Sequence, residues 1–318
     1  MTKPRILLTR RWPDAVETRL AASYDVTLNH ADQPLDAAAL ATAMRDHDAL
    51  CPTVTDRITA DVLATPDRRV RIVANYGAGF EHINLDAARA AAITVTNTPD
   101  VLTDATADIA ITLMLMTMRR AAEGERELRA GGWTGWRPTH LLGQSLAGKT
   151  LGLVGYGRIA RATERRAVAF GMRVIHHSRH RANDASPADY RATLAEVAAE
   201  ADILSLHAPG GAATRHMVDA ALLATMKPGA VVINTARGTL IDEPALAAAL
   251  ASGRIAAAGL DVYAAEPHVH PDLLALPNIV LLPHLGSATI ETRTAMGLKV
   301  ADNLDRFFAD EPVLDRVA

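Results

Sequence analysis

A glycine turn carries the first chemistry that the chain's residue types and spacing suggest. The stretch LGLVGYGRIARA sets Gly155, Gly157 and Ala160 in G-x-G-x-x-A register, after an apolar run and before helix-forming residues. Gly155 would permit a tight turn, Gly157 would let the backbone approach a pyrophosphate, and Ala160 is small enough for close helix–strand packing. A helix starting here, with Ile159 in its first turn, would aim amides and a partial positive charge at the phosphates, and Arg158 could add a charge-assisted bond. Taken alone, the register also fits an ordinary strand–turn–helix junction. The strand before, the helix after and the second strand at MRVIHH narrow that choice.

About twenty residues further on, where a dinucleotide site often carries an acid for the ribose 2′-hydroxyl, the chain reads VIHHSRHR. It offers Ser178, Arg179 and Arg181 and no acid. A guanidinium fork can pair with a 2′-phosphate and a serine can donate to it. Beside the glycine turn this loop reads as an NADP(H) site, with NAD(H) as the alternative cofactor. A solvated basic turn is the alternative for the loop itself. Other chemistries find less support. His268 and His270 in HVH have no evident third ligand, and Cys51 is the only cysteine, so no metal centre and no internal disulfide is expected. Ser145 in GQSLAG lacks the G-x-S-x-G spacing of a nucleophile elbow.

These residues need strands and helices to hold them. Candidate strands at 5–9, 72–75, 94–97, 150–154, 173–177, 203–207, 230–234, 257–261 and 279–282 alternate with helices such as 36–45, 158–170 and 243–252. The central strands are short apolar runs without alternation, as expected when helices cover both faces of a parallel sheet. The fold class expected is α/β, with two Rossmann-like domains built on parallel sheets. The loop AGGWTGWRPTHLLGQS precedes a fresh series of strands, and a long final helix is expected over 287–308. The expected organisation is a dinucleotide-binding domain, 100–287, inserted into a substrate-binding domain of 1–99 and 288–318. At 318 residues and 49% hydrophobic composition the chain can fill two cores. A net charge of −3 argues against nucleic acid and membrane surfaces as partners. The apolar stretch 109–118 is too short to span a bilayer and reads as a buried helix. The start of the chain lacks a signal-peptide pattern and reads as a strand, and a reducing cytoplasm is expected. Cys51 in ALCP reads as a small apolar filler more readily than as a nucleophile.

Further motifs surround the glycine turn in a fixed order: NYGAGFEHIN (75–84), ATADIA (105–110), NTARGTLIDE (234–243), GLDVYAAEP (259–267) and LPHLGSAT (282–289). Together they resemble the D-2-hydroxyacid dehydrogenases over nearly the whole chain, and GGWTGWRPTHLLG resembles the glyoxylate/hydroxypyruvate reductase branch. The resemblance implies a small 2-keto acid reduced by hydride from a nicotinamide, with the keto acid between two domains that close to exclude water. Arg237 matches the arginine that holds the substrate carboxylate and carbonyl, and a guanidinium can polarise the C=O. His284 matches the histidine that exchanges a proton with the carbonyl oxygen, and imidazole suits proton transfer near neutrality. Glu266 matches the glutamate that orients this histidine. Taken singly, these residues also fit a surface ion pair, a structural histidine and a solvated glutamate.

The same resemblance assigns the NYGAG turn to the substrate. Tyr76, Gly77, Ala78 and Gly79 line it, and Ala78 and Gly79 are the amide donors to the carboxylate. Asp261 resembles the residue that receives the nicotinamide carboxamide. Thr106, Thr214, His207, Ala208, Pro209, Thr235 and Ala236 match cofactor-contacting positions. HAPGGAATRH departs from the usual PLT pattern with Gly210, Gly211 and Ala212, which loosens the expected contacts near the adenosine phosphates. A homodimer is implied, through the helix after Thr103 and the tryptophan loop. By themselves Trp133 and Trp136 read as core or dimer packing, and the reductase resemblance implies instead that Trp136 reaches across a dimer into the neighbouring active site. The function expected is NADPH-preferring reduction of glyoxylate, hydroxypyruvate or a related small 2-keto acid. The alternatives are a phosphoglycerate- or formate-type dehydrogenase of the same superfamily and a non-catalytic NAD(P) sensor on the same fold.

Overall fold

A computed structural model describes residues 2–179 and 188–318, which fall into two units, 1–102 with 288–318, and 103–287. The first unit opens with β1 (Arg5–Leu8), α1 (Asp14–Ser23), β2 (Asp25–Leu28), α2 (Ala37–Asp46), β3 (Ala49–Cys51), α3 (Ala60–Leu63), β4 (Ile72–Ala74), α4 (Leu85–Ala90) and β5 (Thr94–Thr96). Its five strands pair in parallel in the order β2-β1-β3-β4-β5. Side chains alternate across that sheet. Leu7, Leu50, Val73 and Val95 pack with Leu40 and Met44 on one face. Ile6, Leu8, Cys51 and Ile72 pack with Val16 and Leu20 on the other. Cys51 is therefore a free, fully buried thiol in an apolar layer, and burial pushes it well above the ordinary thiol range.

The second unit contains α5 (Thr103–Met118), α6 (Ala121–Arg129), β6 (Thr150–Val154), α7 (Arg158–Ala169), β7 (Arg173–His177), β8 (Asp189–Tyr190), α8 (Leu194–Glu200), β9 (Ile203–Leu206), α9 (Ala220–Thr225), β10 (Val231–Asn234), α10 (Glu243–Ala251), β11 (Ala257–Leu260), α11 (Pro271–Leu274) and β12 (Ile279–Leu281). All seven strands are parallel, in the order β12-β11-β10-β9-β6-β7-β8. Leu151, Leu153, Ile203 and Ile233 face α5 and α7. Leu204, Leu206, Val232 and Leu260 face the layer that holds Val197, Leu223 and Leu246. The sheet is thus covered on both sides, which is why its strands read as unbroken apolar runs. Helix α5 includes the apolar stretch expected to be buried, and Ala110, Leu113 and Met114 are fully enclosed.

The last helix, α12 (Ile290–Phe308), rejoins the first unit, with Gly297 against Val16. It starts later than the expected 287, because the Thr289 side chain accepts from the Thr292 amide and fixes the N-cap there. Helix α2 likewise starts one residue past Asp36, which caps it by accepting from the Ala39 amide at 2.8 Å. Among the described residues no helix is long and apolar enough to cross a membrane.

Candidate active site

In the second sheet the strand order turns back between β6 and β9, where α/β folds open a crevice at the carboxyl ends of the strands. The glycine turn leaves β6 at this point. Gly155 sits at φ +83°, and a Cβ there would come 2.8 Å from the Ala208 amide nitrogen. Only glycine satisfies both the left-handed backbone and that approach. The Gly155 amide donates to the His177 carbonyl (2.8 Å) and the His207 amide donates to the Val154 carbonyl (2.7 Å). The ends of β6, β7 and β9 are thereby locked together, which brings the glycine turn, Ser178 and His207–Ala208 to one rim. Tyr156, inside the turn, stacks on His176 with ring centroids 3.8 Å apart, and the Arg161 guanidinium lies 4.4 Å from its centroid.

Gly157 caps α7 without a side-chain hydrogen bond, and among the described residues a Cβ on it would meet nothing within 4 Å. An exposed, uncapped helix start with open space above it is the cradle a pyrophosphate requires. Arg158 is exposed there and Ile159 is half-buried. The Thr235 hydroxyl oxygen is buried with no hydrogen-bond partner among the described residues, as expected of a group that completes its bonding with a ligand. Ser178 is half-buried and Arg179 exposed just beyond β7, and Arg181 lies outside the described residues. Thr214 donates to the Pro209 carbonyl at 2.8 Å, so its proton serves to close its own loop. His207 keeps some solvent access, but its ring is surrounded by protein, and that desolvation lowers its pKa to about 4. It is therefore neutral, with Nε2 2.9 Å from the Ser205 hydroxyl.

Three neighbouring strands, β10, β11 and β12, lead into the turns that carry Arg237, Glu266 and His284. Their parallel register pairs Asn234 with Leu260 and Leu260 with Leu281, so the residues that follow each strand emerge side by side. Asn234, fully buried at the end of β10, shapes the Thr235–Ala236–Arg237 turn. Its Oδ1 accepts from the Ala236 amide (3.0 Å) and its Nδ2 donates to the Arg237 carbonyl (2.9 Å). The Arg237 side chain donates to the Ala236 carbonyl at 2.6 Å. A Cβ on Gly238 would fall 1.8 Å from the Tyr263 carbonyl carbon, so the arginine turn lies directly on the loop that leads to Glu266. That loop is tied down by the Glu243 carboxylate, which accepts from the Ala264 amide (2.8 Å).

Glu266 accepts from the Tyr263 amide on Oε1 (3.0 Å) and from His284 Nδ1 on Oε2 (2.8 Å). An ionised carboxylate can only accept, so Nδ1 carries the hydrogen and Nε2 is left for proton exchange. Burial pushes the Glu266 carboxyl up. The hydrogen bond and charge of His284, the Tyr263 amide and the nearby Arg237 outweigh it and hold the group below its ordinary value. His284 itself sits at φ +55°, and its amide donates to the Asp261 carbonyl at 2.9 Å. The Asp261 carboxylate accepts from the Leu285 and Gly286 amides at 2.6 and 2.8 Å, and Thr106 donates to the Gly286 carbonyl at 3.2 Å. Burial raises the Asp261 pKa, against the pull of those amides and His284. Asp261 and Thr106 thus hold the backbone that follows the histidine.

In the first unit the Tyr76 side chain is committed to packing. Its ring lies 4.4 Å from Trp12 and its hydroxyl donates to the Arg293 carbonyl at 2.6 Å. Gly77, Ala78 and Gly79 follow at the end of β4. In the tryptophan loop Trp136 is 81% exposed and Trp133 is 52% exposed, which excludes packing of either into a core of this chain. Asn75, Asn234 and Glu243 are structuring residues that motif reading passes over. The signal was available for the asparagines, since a short amide stands where an apolar strand run ends.

Comparison with known proteins accords with this geometry. Residues 111–286 match the family model for the D-isomer specific 2-hydroxyacid dehydrogenase, NAD binding domain. A glyoxylate reductase of Pyrococcus furiosus is 41% identical over 96% of this chain and 92% of its own length. A glycerate dehydrogenase of Hyphomicrobium methylovorum is 38% identical over 97% of each chain. The crystal structure of an NADPH-dependent glyoxylate/hydroxypyruvate reductase from Sinorhizobium meliloti, with NADP and malonate bound, superposes with a TM-score of 0.89 at 39% identity, covering 100% of this chain and 97% of that one. The chain belongs to the D-isomer-specific 2-hydroxyacid dehydrogenase family. It is an NAD(P)-dependent oxidoreductase that binds a nicotinamide dinucleotide.

Proposed function

We propose that this protein is an NADPH-preferring reductase of small 2-keto acids, glyoxylate and hydroxypyruvate foremost, that yields D-2-hydroxy acids. The observation that carries the reading is the His284–Glu266 pair beside Arg237. A histidine with one nitrogen held on an ionised carboxylate presents the other to a carbonyl oxygen, and a guanidinium nearby suits a carboxylate-bearing substrate. When bound, the nicotinamide supplies the hydride. Arg237 holds the keto acid and polarises its carbonyl, His284 gives the proton to the carbonyl oxygen, and Glu266 stabilises the imidazolium before transfer. The Ala78 and Gly79 amides are the proposed further donors to the carboxylate.

The pyrophosphate side is assigned to Gly155, Gly157, Arg158 and Ile159, and the ribose and nicotinamide walls to Thr106, His207–Pro209, Thr214, Thr235, Ala236 and Asp261. The 2′-phosphate is assigned to Ser178 and Arg179. The position of Ser178 directly after β7, locked beside the glycine turn, supports this, as does the absence of any acid in the sequence there. The Sinorhizobium relative is itself described as NADPH-dependent. The exposed Trp133, Trp136 and Leu142 side chains support a homodimer formed through this loop. A buried free thiol and no expected disulfide fit a cytoplasmic enzyme.

The test is a steady-state panel of small 2-keto acids with each cofactor. Highest kcat/KM is expected for glyoxylate or hydroxypyruvate with NADPH. Equal or better use of NADH would overturn the cofactor assignment, and activity confined to bulky aromatic keto acids would overturn the substrate assignment. No turnover of any 2-keto acid would favour a sensing role.

A further inference from the structure

The backbone after β4 is organised by two asparagines. Asn75 is fully buried. Its Nδ2 donates both hydrogens, to the Gly77 carbonyl at 3.0 Å and the Gly79 carbonyl at 2.9 Å. Its Oδ1 lies 3.0 Å from His82 Nε2. Because Nδ2 faces two carbonyls, Oδ1 must be the acceptor and His82 Nε2 the donor. Asn97, 9% exposed, donates to the intervening Ala78 carbonyl at 2.8 Å. The Thr98 amide adds a second bond to the Gly77 carbonyl at 3.0 Å. All three consecutive carbonyls are therefore drawn toward buried groups.

A trans peptide unit is planar, and its N–H points opposite its C=O. Fixing the Gly77, Ala78 and Gly79 carbonyls inward therefore turns the Ala78, Gly79 and Phe80 amides outward. None of these three amides makes a hydrogen bond among the described residues. Ala78, Gly79 and Phe80 are also only partly buried, so a ligand can reach them. Amides fixed in this way attract an anion without having to reorganise as it binds.

We infer that Asn75 and Asn97 are positioning residues, which aim a row of three amides, with Phe80 as its third member, at the substrate carboxylate. The inference rests on the keto-acid reading above. It makes carboxylate affinity depend on side chains that never touch the substrate. In Asn75→Ala the Gly79 carbonyl loses its tether and the Gly77 carbonyl keeps only the Thr98 amide, so the amides can rotate. In Asn75→Asp an oxygen faces those carbonyls and repels them, and a negative charge enters behind the anion site.

The test separates the two ligands. The protein is titrated with NADPH, and the NADPH complex is then titrated with oxamate, a carboxylate-bearing mimic of the keto acid. Asn75→Ala and Asn75→Asp are expected to weaken oxamate tenfold or more, to raise KM for glyoxylate to match, and to leave the NADPH dissociation constant within twofold. Asn97→Ala, which frees one carbonyl only, is expected to weaken oxamate by a smaller factor and carries the same test if the Asn75 variants do not fold. Unchanged oxamate affinity in a folded variant, or equal loss of oxamate and NADPH, would overturn the inference. Failure of the wild type to reduce any 2-keto acid would instead overturn the functional reading on which it rests.

Discussion

Glu266, its side chain 34% exposed, keeps its charge because His284, the Tyr263 amide and Arg237 surround it. Its pKa is lowered in the fold, so its contact with His284 contributes stability that is complete above the ordinary carboxylate range. That contribution fades as pH falls through this range and the lower folded value. The melting temperatures of wild type and Glu266→Gln should therefore differ at neutral pH and approach each other in acid. A gap that widens on acidification would contradict this. Glu266→Gln should also lower kcat by about ten- to a hundredfold, with little change in KM for NADPH, because it removes the charge that steadies a protonated His284. Arg179→Ala should raise KM for NADPH about tenfold or more and spare NADH, and equal weakening of both would identify the loop as a solvated turn. Arg237, Glu266 and His284 are legible in the sequence because each sits in a dense motif. Asn75 and Asn234 are marked only by position, a short amide at the end of an apolar run, and the backbone groups they bond come within reach only in the folded turn.

At the level of elements, the strands of both sheets that are buried on both faces are readable from apolar runs, with ends shifted by a residue or so. Strands β2, β3 and β8 escape that reading for separate reasons. Strand β2 is an edge strand whose residues are only exposed or half-buried. Strand β3 is no shorter than β4 and β5 but lacks their β-branched residues (ALC against IVA and TVT), and β8 is a two-residue edge strand paired only with β7. None of these gives periodicity enough to detect. The glycine turn is legible by type, but its reason is tertiary, because the clash that forbids a side chain at Gly155 comes from Ala208, in the loop after β9. Gly155→Ala should therefore destabilise the protein by more than about 1 kcal/mol, the sum of a strained φ and a contact that backbone must yield. Thermal unfolding and NADPH titration should both register it. A stable variant with intact NADPH binding would show that this junction is more pliant than its packing implies.

Across the whole molecule, the exposed tryptophan loop makes assembly measurable. Sedimentation should give a dimer at micromolar concentration, and Trp133→Ala with Trp136→Ala should shift it toward monomer. Unchanged mass would place the contact elsewhere. The insertion has a further consequence during synthesis. Residues 103–287 are contiguous and can finish their seven-stranded sheet as they leave the ribosome. The first unit cannot, for Val16 waits for Gly297, and the edge of β5 waits for Val317 and Ala318. Residues 1–102 are thus made before that sheet and completed after it. Until residues 290–318 have been made, residues 1–102 expose an apolar helix face and an open strand edge, and a ribosome stalled before them would leave a finished domain tethered to an adhesive one.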